Sequence, residues 1–476
     1  MRLRALSGLD ASFLYLESPQ MPMHVGSLML LTTPRKRGYD FHAAVLNLVS
    51  ERLPKARALK RKLIDAPLEL AHPMWGEVAE LDLAEHIRRE RLPSPGSEAQ
   101  LLRRVGELHA ELLPRDRPLW RLVVIEGLAS GEIALYSKIH HALLDGQGGI
   151  ALATALLDLE SKIPKPASAR AQAQKAEAMI SKIQAPAAAG RTGTAVRATA
   201  SQFAKLIRAL PATFKMARKG LSEAGSLLGK LRDSVLLAPR TPFNVNIEGG
   251  RAFAIASVEI GRVKAVAKAF GVSLNDVVLA MVAHAVREHL RKAKALPEEA
   301  TVIAMPISLR SSGDTESNNQ VSMAQCALPT HLSNPVERLR AIHVATSAIK
   351  SRVAAFKDLI PTDYPGLAAP IWAAGLSRLW ARGRISERLP PLANLVVSNV
   401  PGPPMQLFLA GAQLKHYYPV SIVTHGLALN ITLQSYCGFL DFGLISAKDV
   451  VPRPDTLARA LVKALEALEA STPTND

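Results

Sequence analysis

The sequence predicts an α/β protein of two domains joined by a basic linker. Strand-like apolar runs alternate with amphipathic helical spacing on both sides of a central stretch where that alternation stops. The 476 residues are enough for two separate cores. A hydrophobic fraction of 48% with 21% charged residues is the balance of a globular chain, not a disordered one. The expected division is an N-terminal domain over 1–163, a linker over 164–245 and a C-terminal domain over 246–476.

The N-terminal domain opens with an apolar strand over 24–32 and a helix over 41–52, which Asp40 is placed to cap. A second helix spans 98–112. Two strands follow, 120–127 and 133–139, and Ala129-Ser130-Gly131 between them is a hairpin signal. Gly148-Gly149 then leads into a helix over 150–159.

From residue 164 to about 239 the composition shifts to Ala, Lys, Arg and Gln, with low complexity over 167–178 and 185–189. The later part, 196–237, sets Phe203, Leu206, Ile207, Leu210 and Phe214 among lysines and arginines, as in a basic amphipathic helix. Such a helix can be a solvated connector packed on the protein or a contact with a membrane surface. Stripes of this kind are ordinary in globular helices, which favours the connector.

The C-terminal domain has strands over 252–260, 301–308 and 321–328, with a central helix over 275–292. Helices over 335–356 and 367–380 precede strands at 395–399, 427–436 and 440–446, and a helix over 454–470 closes the chain.

Charge and cysteine usage narrow the function. The net charge is +17, and between Lys162 and Arg232 fourteen Lys/Arg face two acids, which puts +12 in that segment. Such a block attracts phosphate in nucleic acid, anionic lipid or coenzyme A. An aromatic content of 5% and the lack of an aromatic-basic motif argue against nucleic acid. Cys326 and Cys437 are far apart and form no disulfide framework, which fits a reducing cytoplasm. The N-terminus does not read as a signal peptide. The longest apolar window, Tyr364 to Trp380, is seventeen residues and carries Ser377 and Arg378, so a membrane span is not expected.

The most informative stretch is Ile139-His140-His141-Ala142-Leu143-Leu144-Asp145-Gly146. Strand alternation sends neighbouring histidines to opposite faces, one toward a cleft and one toward the interior. A neutral imidazole at a cleft mouth is a general base near neutral pH, suited to deprotonating a hydroxyl or amine. A metal site is disfavoured, because adjacent strand histidines point apart and no Cys/His cluster completes a tetrahedron. Asp145 and Gly146 fall on the following turn, where a carboxylate can orient the backbone.

Four further segments accompany the histidines: Arg117-Pro118-Leu119-Trp120, Ser273-Leu274-Asn275-Asp276, Pro306-Ile307-Ser308-Leu309-Arg310 and the run from Asn394 to Pro403. Singly, Ser-x-Asn-Asp reads as a helix N-cap and Pro-Gly-Pro as a strand terminator. In this order, with Leu6-Ser7-Gly8-Leu9-Asp10, Met23-His24-Val25-Gly26 and 426–438, the chain resembles the bacterial wax ester synthase/acyl-CoA:diacylglycerol acyltransferase family along almost its whole length. The histidine motif is shared more widely, by chloramphenicol acetyltransferase-like enzymes and peptide-synthetase condensation domains. The segments after residue 390 select the wax ester/diacylglycerol branch.

The resemblance implies two chloramphenicol acetyltransferase-like domains with mixed sheets flanked by helices, meeting along an active-site tunnel. It makes His141 the general base for a long-chain alcohol or diacylglycerol hydroxyl attacking acyl-CoA, with His140 tuning or orienting it. Asn275 supports the oxyanion, and Asp276 holds its loop. Asp145 shapes the histidine loop, in a pairing with an arginine such as Arg310, and Gly146 permits a tight turn. Arg310, Ser398 and Asn399 are the expected substrate-binding residues. Ser398 lacks the Gly-x-Ser-x-Gly elbow of a hydrolase nucleophile and Cys437 lacks a nearby base, so direct transfer without an acyl-enzyme is expected. No cofactor or metal is expected, and acyl-CoA enters as substrate. The expected location is cytoplasmic, peripheral to the inner membrane face or lipid inclusions, with no nucleic-acid partner. The competing readings are a condensation-type enzyme using a carrier-bound thioester and a non-catalytic basic protein.

Overall fold

The computed structural model describes residues 3–64, 72–143, 152–153, 156–163, 236–308, 321–356 and 385–472. In the N-terminal half the strands are β1 (Leu3–Ala5), β2 (His24–Thr32), β3 (Arg61–Ile64), β4 (Met74–Glu77), β5 (Ile87–Arg91), β6 (Trp120–Glu126), β7 (Ile133–His140) and β8 (Leu157–Asp158). They are accompanied by helices α1 (Gly8–Leu16), α2 (Phe41–Arg52), α3 (Leu83–His86) and α4 (Glu98–Ala110). Then come β9 (Arg251–Glu259), α5 (Ile260–Phe270), α6 (Leu274–Lys292), β10 (Thr301–Ser308), β11 (Val321–Leu328) and α7 (Pro335–Phe356). The chain ends through α8 (Ile385–Arg388), β12 (Leu395–Val400), β13 (Phe408–Leu409), β14 (Ala412–Val420), β15 (Leu429–Tyr436), β16 (Phe439–Ala447) and α9 (Asp455–Glu469).

The fold is mixed α/β, as the sequence predicts. A seven-stranded sheet runs β5-β6-β7-β2-β14-β13-β8, a six-stranded sheet runs β11-β10-β12-β15-β16-β9, and β1, β4 and β3 form a small third sheet. β5 lies parallel to β6, and β12 lies parallel to β10 and β15. The expected strand 24–32 and helix 41–52 form at those bounds, and the Asp40 carboxylate accepts from Ala43 N–H as the cap. The apolar run of β6 is continuous because both sheet faces are buried. Leu122 and Val124 enter one core with Met29, Leu31 and Leu135, while Val123 and Ile125 enter the other with Leu28 and Tyr136.

The expected helix 150–159 ends earlier. Residues 157–158 are β8, paired to β13, with Arg52 gripping the Asp158 carboxylate at 2.6 and 2.7 Å. The expected helix 367–380 and residues 164–235 of the basic linker lie outside the described residues.

Two glycines set how the sheets meet. β14 belongs to the seven-stranded sheet through β2, yet its backbone crosses the face of the six-stranded one. A Cβ on Gly443 of β16 would sit 1.7 Å from the Pro419 carbonyl oxygen. Beside it the fully buried Asp441 carboxylate accepts from Ser257 Oγ at 2.6 Å and Tyr417 N–H at 2.8 Å, with His416 Nδ1 at 3.0 Å. On the other flank, Gly106 lets α4 approach β9, since a Cβ there would be 2.7 Å from Arg251 O. The closest atoms a Gly443→Ala methyl would meet are backbone, with the Phe253 ring 3.3 Å away, so it is expected to cost about 3 kcal/mol or more, by analogy with overpacked cores. A thermal midpoint within a degree of wild type would show that β14 does not rest there.

No single helix among the described residues is long and apolar enough to cross a membrane. The bent pair α5 and α6 passes by length and composition. Most of the apolar side chains of α6 are, however, buried in the core.

Candidate active site

β7 delivers the histidine pair, and neighbouring segments hold its backbone. His140, the last residue of β7, lies opposite His24 on β2. Its N–H donates to Leu119 O at 2.9 Å, and the His141 N–H donates to Met23 O at 2.8 Å. The Pro-Leu-Trp and Met-His-Val-Gly segments therefore position the two histidines through main-chain carbonyls. Gly26 is needed beside them, because a Cβ there would lie 2.0 Å from Ser137 O.

The two imidazoles differ in what they have left to offer. His140 is fully buried, and its Nδ1 accepts the Ala142 N–H at 3.1 Å. An accepting Nδ1 places the ring proton on Nε2. Nε2 faces Glu17 Oε1 at 3.1 Å, off the ideal N–H direction, so the contact is mainly one of charge with dipole. His140 thus has Nδ1 hydrogen-bonded and Nε2 turned toward a buried carboxylate.

His141 is half-buried and stacks on Phe13, with centroids 3.9 Å apart and planes 20° from parallel. Its Nδ1 is shut from solvent with no hydrogen-bond partner among the described residues. Burial, and then the nearby His140, push it down to about 4, so it is neutral at pH 7. A neutral, half-buried imidazole can accept a proton as a general base.

Glu17, which ends α1, was missed by the sequence reading. Its side chain is 3% exposed, and it also accepts from Met23 N–H at 3.3 Å and Arg115 Nη2 at 2.9 Å. Burial alone would raise its carboxyl, but His140 and Arg115 hold it below the ordinary value. α1 thus supplies both the stacking ring and the buried anion. The only signal was the Phe13 to Glu17 spacing, which puts both side chains on one helix face.

A buried polar chain runs behind the pair. His24 Nε2 donates to His109 O at 2.7 Å, while His109 donates from Nε2 to Ser421 O at 2.8 Å and accepts from Tyr136 OH at 2.7 Å. Lys138, two residues before His140 on β7, donates to Leu108 O and Glu111 O at 2.6 and 2.7 Å at the end of α4. Burial, with Arg121 nearby, lowers it to about 7.

His24, His109 and His141 are all held neutral by the fold. Burial and then Lys138 hold His24 well below its usual value and His109 at about 3. In the unfolded chain each titrates near about 6.5. The folded protein therefore binds fewer protons, so this stability is full above that pH and lost as pH falls toward 4. The thermal midpoint should drop by several degrees between neutral pH and pH 5; a flat midpoint would mean these rings are open to protons.

The second constellation lies at the start of α6. Ser273 caps the helix and forms a capping box with Asp276. Asp276 is buried and accepts from Thr346 Oγ1 at 2.6 Å, with His343 Nδ1 at 2.8 Å, so it ties α6 to α7. Burial would raise its carboxyl, but Thr346, His343 and Ser273 hold it low. Asn275 Oδ1 accepts from Asn399 Nδ2 at 3.5 Å, the long end of a hydrogen bond. Ser398 lies one residue earlier on β12, opposite Thr432, and therefore faces the other side of the sheet. Among the described residues no hydrogen bond joins Asn275 or Asn399 to either histidine. Asp145, Gly146 and Arg310 lie outside the described residues, as does their expected pairing. No group of three His, Cys, Asp or Glu able to hold a metal ion occurs among the described residues.

The family models for the wax ester synthase/diacylglycerol acyltransferase catalytic domain and for the WS/DGAT C-terminal domain match residues 6–278 and 317–469. The chain belongs to the wax ester synthase/diacylglycerol acyltransferase family. It is an acyltransferase of that type. A WS/DGAT structure from Marinobacter aquaeolei VT8 shares 30% identity and a TM-score of 0.67, over 98% of this chain and 99% of that one. The O-acyltransferase WSD of Acinetobacter baylyi is 32% identical over 475 residues, 98% of this chain and 97% of its own length. A Mycobacterium tuberculosis H37Rv protein provisionally named a diacylglycerol O-acyltransferase is 36% identical over 468 residues, 98% of this chain and 99% of its own. The first condensation domain of the calcium-dependent antibiotic synthetase shares the WS/DGAT fold at 14% identity and a TM-score of 0.52, covering 99% of this chain and 98% of that one.

Proposed function

We propose that this acyltransferase moves a long-chain fatty acyl group from acyl-CoA to a long-chain alcohol or to diacylglycerol, with His141 as general base and no covalent acyl-enzyme. The observation that carries the reading is the asymmetry of the two histidines. His140 is fully buried, with Nδ1 accepting a backbone N–H and Nε2 turned to Glu17, whereas the His141 ring is half-buried and neutral. His141 takes the acceptor's hydroxyl proton as its oxygen attacks the thioester carbonyl. The tetrahedral intermediate then expels the CoA thiolate, which takes the proton from His141 to leave as the thiol. Asn275 is the proposed donor to the oxyanion.

The candidate nucleophiles favour direct transfer. Cys326 is buried, and burial pushes its thiol up to about 11. Ser398 has no histidine or carboxylate bonded to it among the described residues. We place acyl-CoA as a substrate with no added cofactor, and the protein at an anionic membrane or lipid-inclusion surface, held by the basic segment before residue 236.

Palmitoyl-CoA offered hexadecanol and diacylglycerol in parallel, with the lipid products resolved, tests the substrate reading. Ester with either acceptor supports it, and CoA release without any ester refutes it. Neutralising Lys205, Arg208, Lys215, Arg218 and Lys219 together should weaken flotation with anionic vesicles; unchanged flotation removes the linker's role.

A further inference from the structure

Among the described residues, Lys138, Arg121, Arg251 and Arg338 are buried cations, and they differ in what satisfies them. Lys138 donates to two carbonyls, Arg121 pairs with Glu111, and Arg251 donates to the carbonyls of Glu248, Gly250 and Gln20. Arg338, near the start of α7, is 1% exposed and has much less. Its Nη2 donates to Ser333 O at 3.2 Å, while its Nη1 is shut from solvent with no hydrogen-bond partner among the described residues.

That charge persists at neutral pH. Burial, and then the neighbouring Arg287, lower the guanidinium only to about 10. The acid that acts on it, Glu288, has both carboxylate oxygens on Arg291. A buried charge without a counter-charge or a full set of hydrogen bonds is costly, so the fold needs a further acceptor here.

Beside Arg338 lies a cavity of about 10 Å³ where α6, α7 and α9 pack together. Ala280 and His284 of α6 and Ala464, Ala467 and Leu468 of α9 complete its lining. It has room for one occupant of about the size of a water, and it is partly open to solvent. No acidic side chain lines it. Burial, and then Arg338, lower the His284 imidazole, so the ring is neutral at pH 7 and can turn an N–H to an acceptor. A buried water makes about three hydrogen bonds and needs acceptors for its own protons. An anion needs only donors, and it also offsets the guanidinium charge. The small volume excludes a phosphate group and leaves a monatomic ion.

We propose that the junction of α6, α7 and α9 binds one chloride-sized anion, held by Arg338 and His284. Thr346 and His343 of α7 already hold Asp276 at the start of α6. The anion adds α9 to that pair, and its binding does not depend on the acyl-transfer reading.

The full chain is melted at constant ionic strength in sodium gluconate, whose anion is too large for the cavity, and in sodium chloride. The wild-type midpoint should rise by about 2 °C as chloride saturates one site, and bromide should substitute for chloride. Arg338→Met keeps an apolar stem of similar reach, a kind of replacement that buried charges tolerate. It should melt alike in the two salts. Ala467→Leu fills the half-buried side of the cavity with Arg338 left in place, and should lose the response as well. A wild-type midpoint that is the same in both salts overturns the proposal and leaves the cavity to water. So does a chloride response that survives in Arg338→Met or, should that variant not fold, in Ala467→Leu, because the ion would then act elsewhere.

Discussion

His141→Ala should lower kcat about a thousandfold, within the range for loss of a positioned general base, while the thermal midpoint moves by only about 3 °C. The small stability change follows from two opposed terms. Removing the ring forfeits its stack on Phe13, worth about 1 kcal/mol. It also removes a buried Nδ1 with no partner among the described residues, a group that is costly to bury. His140→Ala should behave differently. It strips the Ala142 N–H of its acceptor and leaves the buried Glu17 carboxylate without its histidine, so it should lower the midpoint as well as the rate. A His141→Ala protein that melts far below wild type would make this residue structural.

Glu17→Ala is expected to be the most damaging change away from the reacting atoms. It leaves the Met23 N–H without its acceptor, at about 1–3 kcal/mol, and removes the carboxylate that faces His140 Nε2. Because the Met23 carbonyl also holds the His141 amide, the base should lose its pose. By analogy with outer-shell partners of histidine ligands, kcat should fall about 10- to 100-fold, with KM for acyl-CoA nearly unchanged. Glu17→Gln keeps an acceptor oxygen for Met23 and should recover most of kcat. A purely structural role for Glu17 would show as lost stability with kcat intact in the folded fraction.

The parts of the site legible in the sequence were those carried by one local pattern. The histidine pair follows an apolar run, and that run is β7, one residue longer than expected. Ser-x-Asn-Asp reads as an N-cap and forms a capping box. Pro-Leu-Trp and Met-His-Val-Gly were recognisable as motifs, but their work, lending carbonyls to the histidine amides, is done by backbone and leaves no side-chain signature. Glu17 was illegible for a different reason. An acidic residue at a helix end reads as solvated, and only the tertiary fold buries it against His140 and Arg115.

The same limit applied to the fold. The sequence separates an N-terminal from a C-terminal half, and the mixed α/β class follows from its alternation. Nothing in 412–420 announces that this strand joins β2 in the sheet begun by the other half. Strand pairing is decided by which edge is open and which face needs covering, and Gly443 and Asp441 record that decision in residues distant along the chain.

The central claim is direct acyl transfer to a hydroxyl deprotonated by His141. It is tested most directly by mixing the enzyme with palmitoyl-CoA in the absence of acceptor, following CoA release and intact protein mass, and then adding hexadecanol or diacylglycerol. Direct transfer predicts no burst of CoA and an unchanged protein mass, followed on adding acceptor by one CoA released per ester formed. A burst stoichiometric with enzyme, together with a protein heavier by one palmitoyl group, would contradict it.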